Sequence, residues 1–557
     1  MHNRSKLLPL ALLAASQCVL AQQIPGAGTQ LRQLTLPVAP QTTEPRIRIE
    51  EVTAAAVPGS PSATVLVKQL EFTGTGATAP ATLLAITGFV PDSQLSLRDL
   101  QAMAARITAH YRVQGYFVAR AYVPAQDISD HVVTIAVSKG SYGAVTVRNH
   151  SRLDDRVVRR ALKGIDSGDD ITIVPLENRL LLLSDIPGVV VSSTLAPGQA
   201  PGSSDLIVDV APGRLVTGYV DADNAGNPYT GEVRVGAAVN LNNLAGRGDV
   251  ASLRVLTSGS GLRYGRAAYQ MPFGPVTAGV AYSRLDYELG KQFTALGAHG
   301  TAEVASVFAT MPLIRSRASN VYAGLAFERR DFNDQIDLVP SASREARADV
   351  AIASLYGNHQ DAIGGGGSSS FFISLSAGSL DIRTPAALAA DAVSARSNGS
   401  YSKLWFNVAR SQRLSDTWSL RGSLTGQFAS KNLDPSEKLV LGGMDGIRAY
   451  PQGEGFGDQG LLLDVEARVL LAGLSARVPG QVSLLGFVDV GRVTINKNPW
   501  YAGPNTRNLS GAGIGAVWED AGNFAVRAYY SRKLGNELAL SAPDESGRFW
   551  IQAIKYF

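Results

Sequence analysis

Arg448 and Asp489 are two charged residues whose surroundings point to a specific interaction. Arg448 lies in a Gly-rich stretch, residues 441–451, between two segments that alternate in polarity. Alternate residues of an extended strand share a face, so Asp489 lies with Phe487 and Gly491, opposite an apolar face. A carboxylate on such a face needs a partner, and a guanidinium can pair with it through two hydrogen bonds. The spacing leaves a second interpretation open, in which Arg448 is a solvated loop residue and Asp489 is one of several water-facing charges.

Other residues that could support catalysis do not form a recognisable site. No two histidines have the spacing of metal ligands, and the single cysteine, Cys18, lies near the N-terminus, so a zinc site is not expected. No phosphate-binding loop with a Lys-Ser/Thr ending occurs, and the glycines of 511–515 lack the strand–helix context of a nucleotide site. We interpret those glycines as room for close packing. The sequence therefore predicts no catalytic residue, no metal, no cofactor and no enzymatic activity.

Composition and the N-terminus restrict the class of protein. Lys and Arg number 51 against 47 Asp and Glu in 557 residues, so the formal charge of +4 is too small to indicate nucleic-acid binding. Arg4, Lys6 and the apolar stretch 7–15 predict a signal peptide that ends at Ala21. Beyond it, no apolar run is long enough for a membrane-spanning helix. A closed β-barrel is the membrane structure that remains compatible.

The mature sequence divides into regions of different pattern. Residues 22–64 are rich in proline and read as a linker, and Thr29–Leu36 within them predicts a helix of no more than a couple of turns. Residues 65–140 and 141–212 have a similar order of strands and helices, which suggests two small α+β domains.

Residues 213–557 contain short alternating stretches, with one face apolar and the other small or polar. Examples are Val276–Ser283 and Trp418–Phe428. This pattern is typical of a transmembrane β-barrel, whose outer face contacts lipid and whose lumen contains water. A sandwich or propeller would also alternate, but a sandwich rarely reaches this length in one domain. The aromatic Phe557 after an alternating segment is similar to the C-terminal signal of outer-membrane proteins, which are inserted by barrel-assembly machinery.

Two motifs of this region resemble those of the outer-membrane insertase and transporter superfamily. The V-R-G-Y/F motif of its sixth extracellular loop resembles Gly446-Ile447-Arg448-Ala449-Tyr450, with Ile in place of Val and Ala in place of Gly. Its F-x-D-x-G strand motif resembles Phe487-Val488-Asp489-Val490-Gly491. The resemblance implies that the loop around 442–457 folds into the lumen and that Arg448 pairs with Asp489.

A segment of the N-terminal region shows which family within this superfamily the sequence resembles. The segment Tyr111–Asp127 is similar to the first POTRA domain of two-partner secretion transporters (TpsB, of the haemolysin-activator and filamentous-haemagglutinin-transporter type). Within it, the resemblance suggests Tyr111, Gly115, Tyr116 and Arg120 as substrate-recognition residues.

This family resemblance implies a membrane β-barrel of 16 antiparallel strands in the outer membrane of a Gram-negative bacterium, preceded by two periplasmic POTRA domains. It implies secretion of an exoprotein partner, a haemolysin, adhesin or contact-dependent toxin, in extended form and without nucleotide hydrolysis. The barrel would contact outer-membrane lipid. The resemblance also implies an N-terminal helix that plugs the lumen, for which the short segment Thr29–Leu36 is the candidate, followed by a linker. Two alternatives stay open: a factor that assembles other outer-membrane barrels, and a passive diffusion porin.

Overall fold

The computed structural model describes residues 24–34, 46–49, 64–128 and 130–557. The predicted signal peptide, residues 1–21, lies outside the described residues, as does most of the predicted linker. The described chain forms two small α/β units followed by a closed barrel. Within the described ranges, no helix is both long and apolar enough to cross a membrane.

The segment before the first unit contains two short elements, α1 (Ala27–Arg32) and β1 (Arg46–Ile49). The helix begins and ends earlier than the predicted Thr29–Leu36, because the backbone N–H of Gln33 donates to the carbonyls of Gln30 and Leu31 and closes the last turn. The strand β1 was not predicted, because the proline-rich composition around it was read as linker alone.

The first unit packs two helices against short strands. Its elements are β2 (Thr64–Val67), β3 (Gln69–Thr73), α2 (Pro80–Thr87), β4 (Ser93–Ser96), α3 (Leu97–Val113), β5 (Arg120–Tyr122) and β6 (Val132–Ser138). The helix α3 buries Leu100, Ala104, Ile107 and Tyr111, which recur at helical spacing. Ser96 caps it by accepting from the Asp99 N–H, while the Asp99 carboxylate accepts from the Ser96 N–H. Such a cap stabilises a helix by about 1 kcal/mol.

The second unit repeats the strand topology of the first. Its elements are β7 (Ser141–Asn149), α4 (Asp155–Ala161), α5 (Ile173–Ser184), β8 (Val189–Pro197) and β9 (Ser203–Pro212). In each unit the last strand pairs in parallel with the first strand of its sheet and antiparallel with the strand before it: β6 with β3 and β5, β9 with β7 and β8. The strand β1 extends the second sheet by pairing in parallel with β8.

Sixteen antiparallel strands close the barrel, which confirms the predicted fold class and strand number. They are β10 (Val216–Asp223), β11 (Arg234–Asn242), β12 (Val250–Thr257), β13 (Leu262–Phe273), β14 (Val276–Glu288), β15 (Ala298–Arg315), β16 (Ser319–Ile336), β17 (Arg344–Asp361), β18 (Gly367–Ile382), β19 (Gly399–Arg413), β20 (Trp418–Ala429), β23 (Gln459–Leu470), β24 (Gln481–Thr494), β25 (Thr506–Asp520), β26 (Phe524–Lys533) and β27 (Gly547–Tyr556). The two-residue strands β21 (Leu439–Val440) and β22 (Phe456–Gly457) lie in the connection between β20 and β23. Closure pairs β27 with β10.

The alternating pattern places apolar side chains on the outside of the barrel. On β16, Leu325 and Phe327 are 66% and 50% exposed, while Ala326 between them lies on the opposite face of the strand. On β24, Val488 and Val490 are exposed and Asp489 is fully buried. The barrel therefore has an apolar outer surface, as the period-two pattern predicted, while its inner faces carry both charged residues and apolar residues that pack against α1 and the inward loop.

The second unit contacts the barrel at the end where β10 begins, through the turn between β15 and β16. The Arg315 guanidinium, at the end of β15, donates two hydrogen bonds of 2.7 Å to the Asp185 carboxylate. The Asn178 side chain donates to the Arg315 carbonyl at 2.9 Å, and Arg317 pairs with Glu177 at 3.0 Å. The connection that contains Arg448 starts from the opposite end of the barrel, because β20 runs away from the second unit.

Candidate functional site in the barrel lumen

The long connection between β20 and β23 folds back into the barrel. The short strands β21 and β22 pair antiparallel at its base, and a bridge between Gly442 and Ile447 tightens its tip. Leu441, Ile447 and Tyr450 are almost completely buried. A loop with these apolar side chains is stabilised by packing against the inner wall, so the wall and the loop form one core.

Arg448 projects from this loop onto Asp489 of β24, so the predicted contact is present. The Arg448 Nε and terminal nitrogen donate to the two oxygens of Asp489 at 3.0 and 2.6 Å. The backbone N–H of Arg448 adds a third bond to the same carboxylate at 2.9 Å. Arg448 is 3% exposed and Asp489 is 0% exposed, so this ion pair is removed from water.

Two further carboxylates on β23 complete the surroundings of Arg448. Its guanidinium donates to Glu466 at 2.6 Å and also to Asp464. Arg421 pairs with Asp464 at 3.1 Å and Arg468 pairs with Glu466 at 2.6 Å. Three arginines therefore face three carboxylates around a buried Arg448, and the cluster has no net formal charge.

The sequence analysis did not identify Asp464 and Glu466 as partners of Arg448. A signal was available, because their period-two spacing places both on the inner face of β23. The contact between this strand and the loop depends on folding and could not be obtained from spacing alone.

Aromatic rings hold the guanidinium from the sides. The central carbon of the Arg448 guanidinium lies 3.4 Å from the ring centroid of Phe487 and 5.2 Å from that of Tyr529. The Trp550 indole N–H donates to the Arg448 carbonyl at 2.7 Å. A cation over an aromatic face is attracted by about 0.5–2 kcal/mol. Phe487 therefore orients Arg448, while Trp550, on the last strand, fixes its backbone.

Glycines in the wall make room for the loop. A methyl carbon placed on Gly511 would lie 2.5 Å from the Ala449 side chain, and one on Gly491 would lie 2.9 Å from Ile447. Gly446 leaves no space for a side chain, because the Leu441 carbonyl would lie 2.1 Å away. The interpretation of residues 511–515 as a close-packing segment therefore agrees with the geometry.

Tyr450 anchors the loop at its other side. Its ring is 1% exposed, its hydroxyl donates to the Glu537 carbonyl at 3.1 Å, and the Lys533 ammonium lies 4.8 Å from the ring centroid. Burial raises the pKa of Tyr450 to about 12, so its hydroxyl stays a donor at neutral pH. The predicted loop and strand residues thus converge on one lumen site.

The helix α1 also lies inside the barrel. The Ala27 N–H donates to the Asp334 carboxylate at 2.6 Å, and Gln33 accepts from the Asn227 side chain at 3.1 Å. A methyl carbon on Gly28 would lie 2.5 Å from the Ser436 side chain, in the loop that also carries Arg448. The helix is therefore in direct contact with the base of that loop.

Glu437, next to Ser436, holds this base against the wall. Its carboxylate pairs with the Lys403 ammonium at 2.7 Å and with the Arg330 guanidinium. Burial alone would raise the pKa of Glu437, but the two cations outweigh it and hold the pKa at about 2. Glu437 is therefore ionised throughout the physiological range.

The residues suggested for substrate recognition lie in the first unit and are not part of the lumen site. Tyr111 is fully buried, and its hydroxyl donates to the Thr75 carbonyl at 2.9 Å, so it is a core residue of that unit. Gly115 has φ +95°, and its carbonyl accepts from the Ile173 N–H of the second unit at 3.0 Å. Tyr116 is partly buried under the Lys139 ammonium, and Arg120 is exposed on β5.

Comparison with known protein families decides the family. The model of the family described as "Haemolysin secretion/activation protein ShlB/FhaC/HecB" matches residues 202–517. The chain belongs to the ShlB/FhaC/HecB family. A second family model, "POTRA domain, ShlB-type", matches residues 65–140. As a member of the ShlB/FhaC/HecB family, the chain is a two-partner secretion transporter of the outer membrane that exports a partner exoprotein, and its POTRA region lies in the periplasm.

Individual relatives in the ShlB/FhaC/HecB family have low sequence identity but match over much of the chain. The heme/hemopexin transporter protein HuxB of Haemophilus influenzae is 27% identical over 471 residues, which cover 83% of this chain and 82% of HuxB. The outer membrane transporter CdiB of Dickeya dadantii is 24% identical over 382 residues, which cover 66% and 65% of the two chains.

Solved structures share the fold. CdiB from Escherichia coli superposes with a TM-score of 0.66 at 19% identity and covers 100% of both chains. BamA from Haemophilus ducreyi lacking POTRA domains 1–3 superposes with a TM-score of 0.52 at 15% identity, over 88% of this chain and 100% of that chain. The family match favours the transporter over the assembly factor that was the alternative prediction.

Proposed function

We propose that this transporter conducts its exoprotein through the barrel lumen in extended form, without nucleotide hydrolysis or other catalysis. The observation that carries the proposal is that α1 fills part of the lumen and is held there by hydrogen bonds and by apolar packing of Ala27, Leu31 and Leu34. We infer that a passing chain can replace these non-covalent contacts. Folding of the exoprotein outside the cell would supply direction, because a folded domain cannot return through the pore.

The N-terminal units would bind the exoprotein first. The pairing of β1 with β8 supports this step, since it is an example of an extended segment bound along a sheet edge. In the first unit, β5 is an edge strand with Arg120 and Tyr122 exposed. An unfolded exoprotein can add a strand to such edges through backbone hydrogen bonds, which tolerate many sequences. We infer that the second unit, residues 141–212, is a second POTRA domain, because it repeats the strand topology of the first.

The Arg448 cluster would set the position of the loop and perform no bond chemistry. The ion-pair partners of the Arg448 guanidinium are all carboxylates of the wall, and the formal charges of the cluster balance. The apolar outer surface of the barrel would contact outer-membrane lipid, and its insertion would depend on the host's barrel-assembly machinery.

The exported partner would be a large secreted protein. A haem- or hemopexin-binding exoprotein is the first candidate, because the match to HuxB covers 83% of this chain, whereas the match to Dickeya dadantii CdiB covers 66%. A contact-dependent toxin is the second candidate.

Deletion of the gene tests the transport function. We expect one large exoprotein to disappear from the cell surface and the medium, while the general profile of outer-membrane proteins stays unchanged. Re-expression of the full chain should restore the missing exoprotein. Loss of many outer-membrane barrels, with no selective loss of one exoprotein, would instead support the assembly-factor function.

A further inference from the structure

We propose that four aromatic side chains of the inner wall form a contact surface for the exported chain, an inference that rests on the proposed passage of an extended exoprotein through the lumen. We name them the aromatic track: Tyr322, Tyr356, Phe372 and Trp405, on the consecutive strands β16, β17, β18 and β19. No motif of the sequence singled out these residues, because they are widely separated along the chain.

The rings of the aromatic track are continuous from strand to strand. The ring centroids of Tyr322 and Tyr356 are 5.3 Å apart with an interplanar angle of 15°, and those of Tyr356 and Phe372 are 5.8 Å apart at 20°. Phe372 meets Trp405 edge-on at 5.6 Å. Tyr356 is the direct cross-strand partner of both Tyr322 and Phe372, so three rings lie at one level of the wall.

The aromatic track faces the lumen and not the lipid. Tyr322 shares a strand face with Arg330, whose guanidinium contacts Glu437 inside the barrel. Trp405 shares a face with Lys403, which contacts the same carboxylate. Phe372 is nevertheless 39% exposed, so its ring meets lumen water. A water-filled barrel interior is normally polar, and partly exposed rings on it indicate a surface with a binding role.

The position of the aromatic track fits a chain that enters from the second unit. At one end, Tyr322 lies on β16 two residues from Asn320, which accepts from the Arg315 guanidinium that holds Asp185 of the second unit. At the other end, Trp405 packs against the apolar cluster of the inward loop.

Between these ends, Asn407 is the cross-strand partner of Phe372. Asn407 also lines a cavity of about 340 Å³ that reaches Arg448. The aromatic track therefore connects the junction with the second unit to the loop site.

The chemistry of the surface points to an extended polypeptide with apolar and aromatic side chains. Ring faces attract such side chains without requiring one hydrogen-bond register, so successive residues of a moving chain can exchange places on them. Contacts of this kind are individually weak, which lets the chain advance while its apolar side chains stay covered.

The first test measures secretion in a host that lacks the native gene. The variant Tyr356→Ser/Phe372→Ser should release at least about fivefold less of the exoprotein that the deletion strain loses. The amount of the variant transporter in the outer membrane and its heat-modifiable migration in gels should equal those of the wild-type transporter. The ring-conserving variant Tyr356→Phe/Phe372→Tyr should secrete normally.

A matched control separates transport from strand stabilisation. Phe406 and Phe428 are also stacked on neighbouring strands, at 6.3 Å and 22°, but lie on the outer face. Phe406→Leu/Phe428→Leu should therefore secrete normally. Normal secretion by the Tyr356→Ser/Phe372→Ser variant would overturn the aromatic track, and so would a loss of secretion that only follows loss of inserted barrel. If deletion removes no exoprotein, the proposed function itself fails.

The second test uses defined peptides and the purified full-length chain. With p-benzoylphenylalanine at position 372, a fluorescent peptide of about 12 residues alternating Phe and Ser, long enough to span the track, should crosslink several-fold more than one alternating Asn and Ser. The same photoreactive residue at position 406 should not discriminate between the peptides. Equal crosslinking of both peptides at position 372 would contradict the proposal.

Discussion

Arg448 is a buried cation that satisfies three carboxylates at once. Its replacement by alanine leaves Asp489 buried without its principal partner, a change that destabilises a protein by roughly 3–5 kcal/mol. The barrel holds its strands in place through their backbone pairing. Loss of the ion pair should therefore displace the loop and leave the strands where they are. We expect Arg448→Ala to insert normally, to reduce exoprotein secretion strongly and to make the loop more sensitive to protease.

The exposed pair of Arg284 and Asp286 provides a control for Arg448. These side chains are 50% and 46% exposed, and such a pair contributes about 0–1 kcal/mol. Arg284→Ala should therefore secrete at the wild-type level in the same assay. Wild-type secretion by Arg448→Ala would show that the loop works without its buried pair.

The contact between Gly511 and Ala449 offers a test by compensation. Gly511→Ala would place its methyl carbon 2.5 Å from the Ala449 side chain, so the loop has to move and secretion should fall. Adding Ala449→Gly removes the other methyl group and should restore secretion. Gly422→Ala is the control, since its side chain would meet no atom within 4 Å. Failure of the double variant to recover would contradict a steric role.

The sequence was most informative about residues whose neighbours obey a simple period. Asp489 was placed on the inner face because its strand alternates strictly, and the motif around Arg448 supplied its partner. Trp550 and Tyr529 were not anticipated, because their proximity to Arg448 depends on closure of the barrel. Tyr111 matched a motif for substrate recognition, yet it is buried, because a motif does not distinguish a core residue from a surface residue.

The helix α1 and the base of the inward loop are coupled elements. The helix and the loop meet at Gly28 and Ser436. A methyl carbon on Gly28 would lie 2.5 Å from the Ser436 side chain, which is too close for any larger residue at position 28. We expect Gly28→Val to prevent seating of the helix and to increase the open fraction of single pores in planar lipid bilayers. Heat-modifiable migration serves as the control for an intact barrel. An unchanged conductance would mean that the helix does not obstruct the pore.

Short elements were predicted less well than long ones. The helix α3 and the barrel strands repeat their pattern often enough to be recognised. The helix α1 has six residues, too few to be stable alone, so its existence depends on the lumen contacts of Ala27 and Gln33. The strand β1 likewise forms by pairing with β8, and no local sequence pattern predicts it.

The whole molecule is held together at the junction between the second unit and the barrel. Arg315 and Asp185 form its closest charged contact, with side chains 11% and 28% exposed. Arg315→Asp should reduce secretion by weakening the docking of the second unit, and Asp185→Arg combined with it should recover part of the loss. Protease sensitivity of the second unit measures docking independently. No recovery in the double variant would mean that the pair does not act through mutual attraction.

The helix α1 and the strand β1 belong to one continuous chain, with one inside the pore and the other on the sheet of the second unit. Return of the helix to the pore is therefore a first-order event, because the connecting residues keep the helix near its site and set its effective concentration there. The pore should reseal at a rate independent of how many copies the membrane holds. Lengthening the connection should slow resealing gradually. The length of the connection would therefore set how long the pore leaks after each export event.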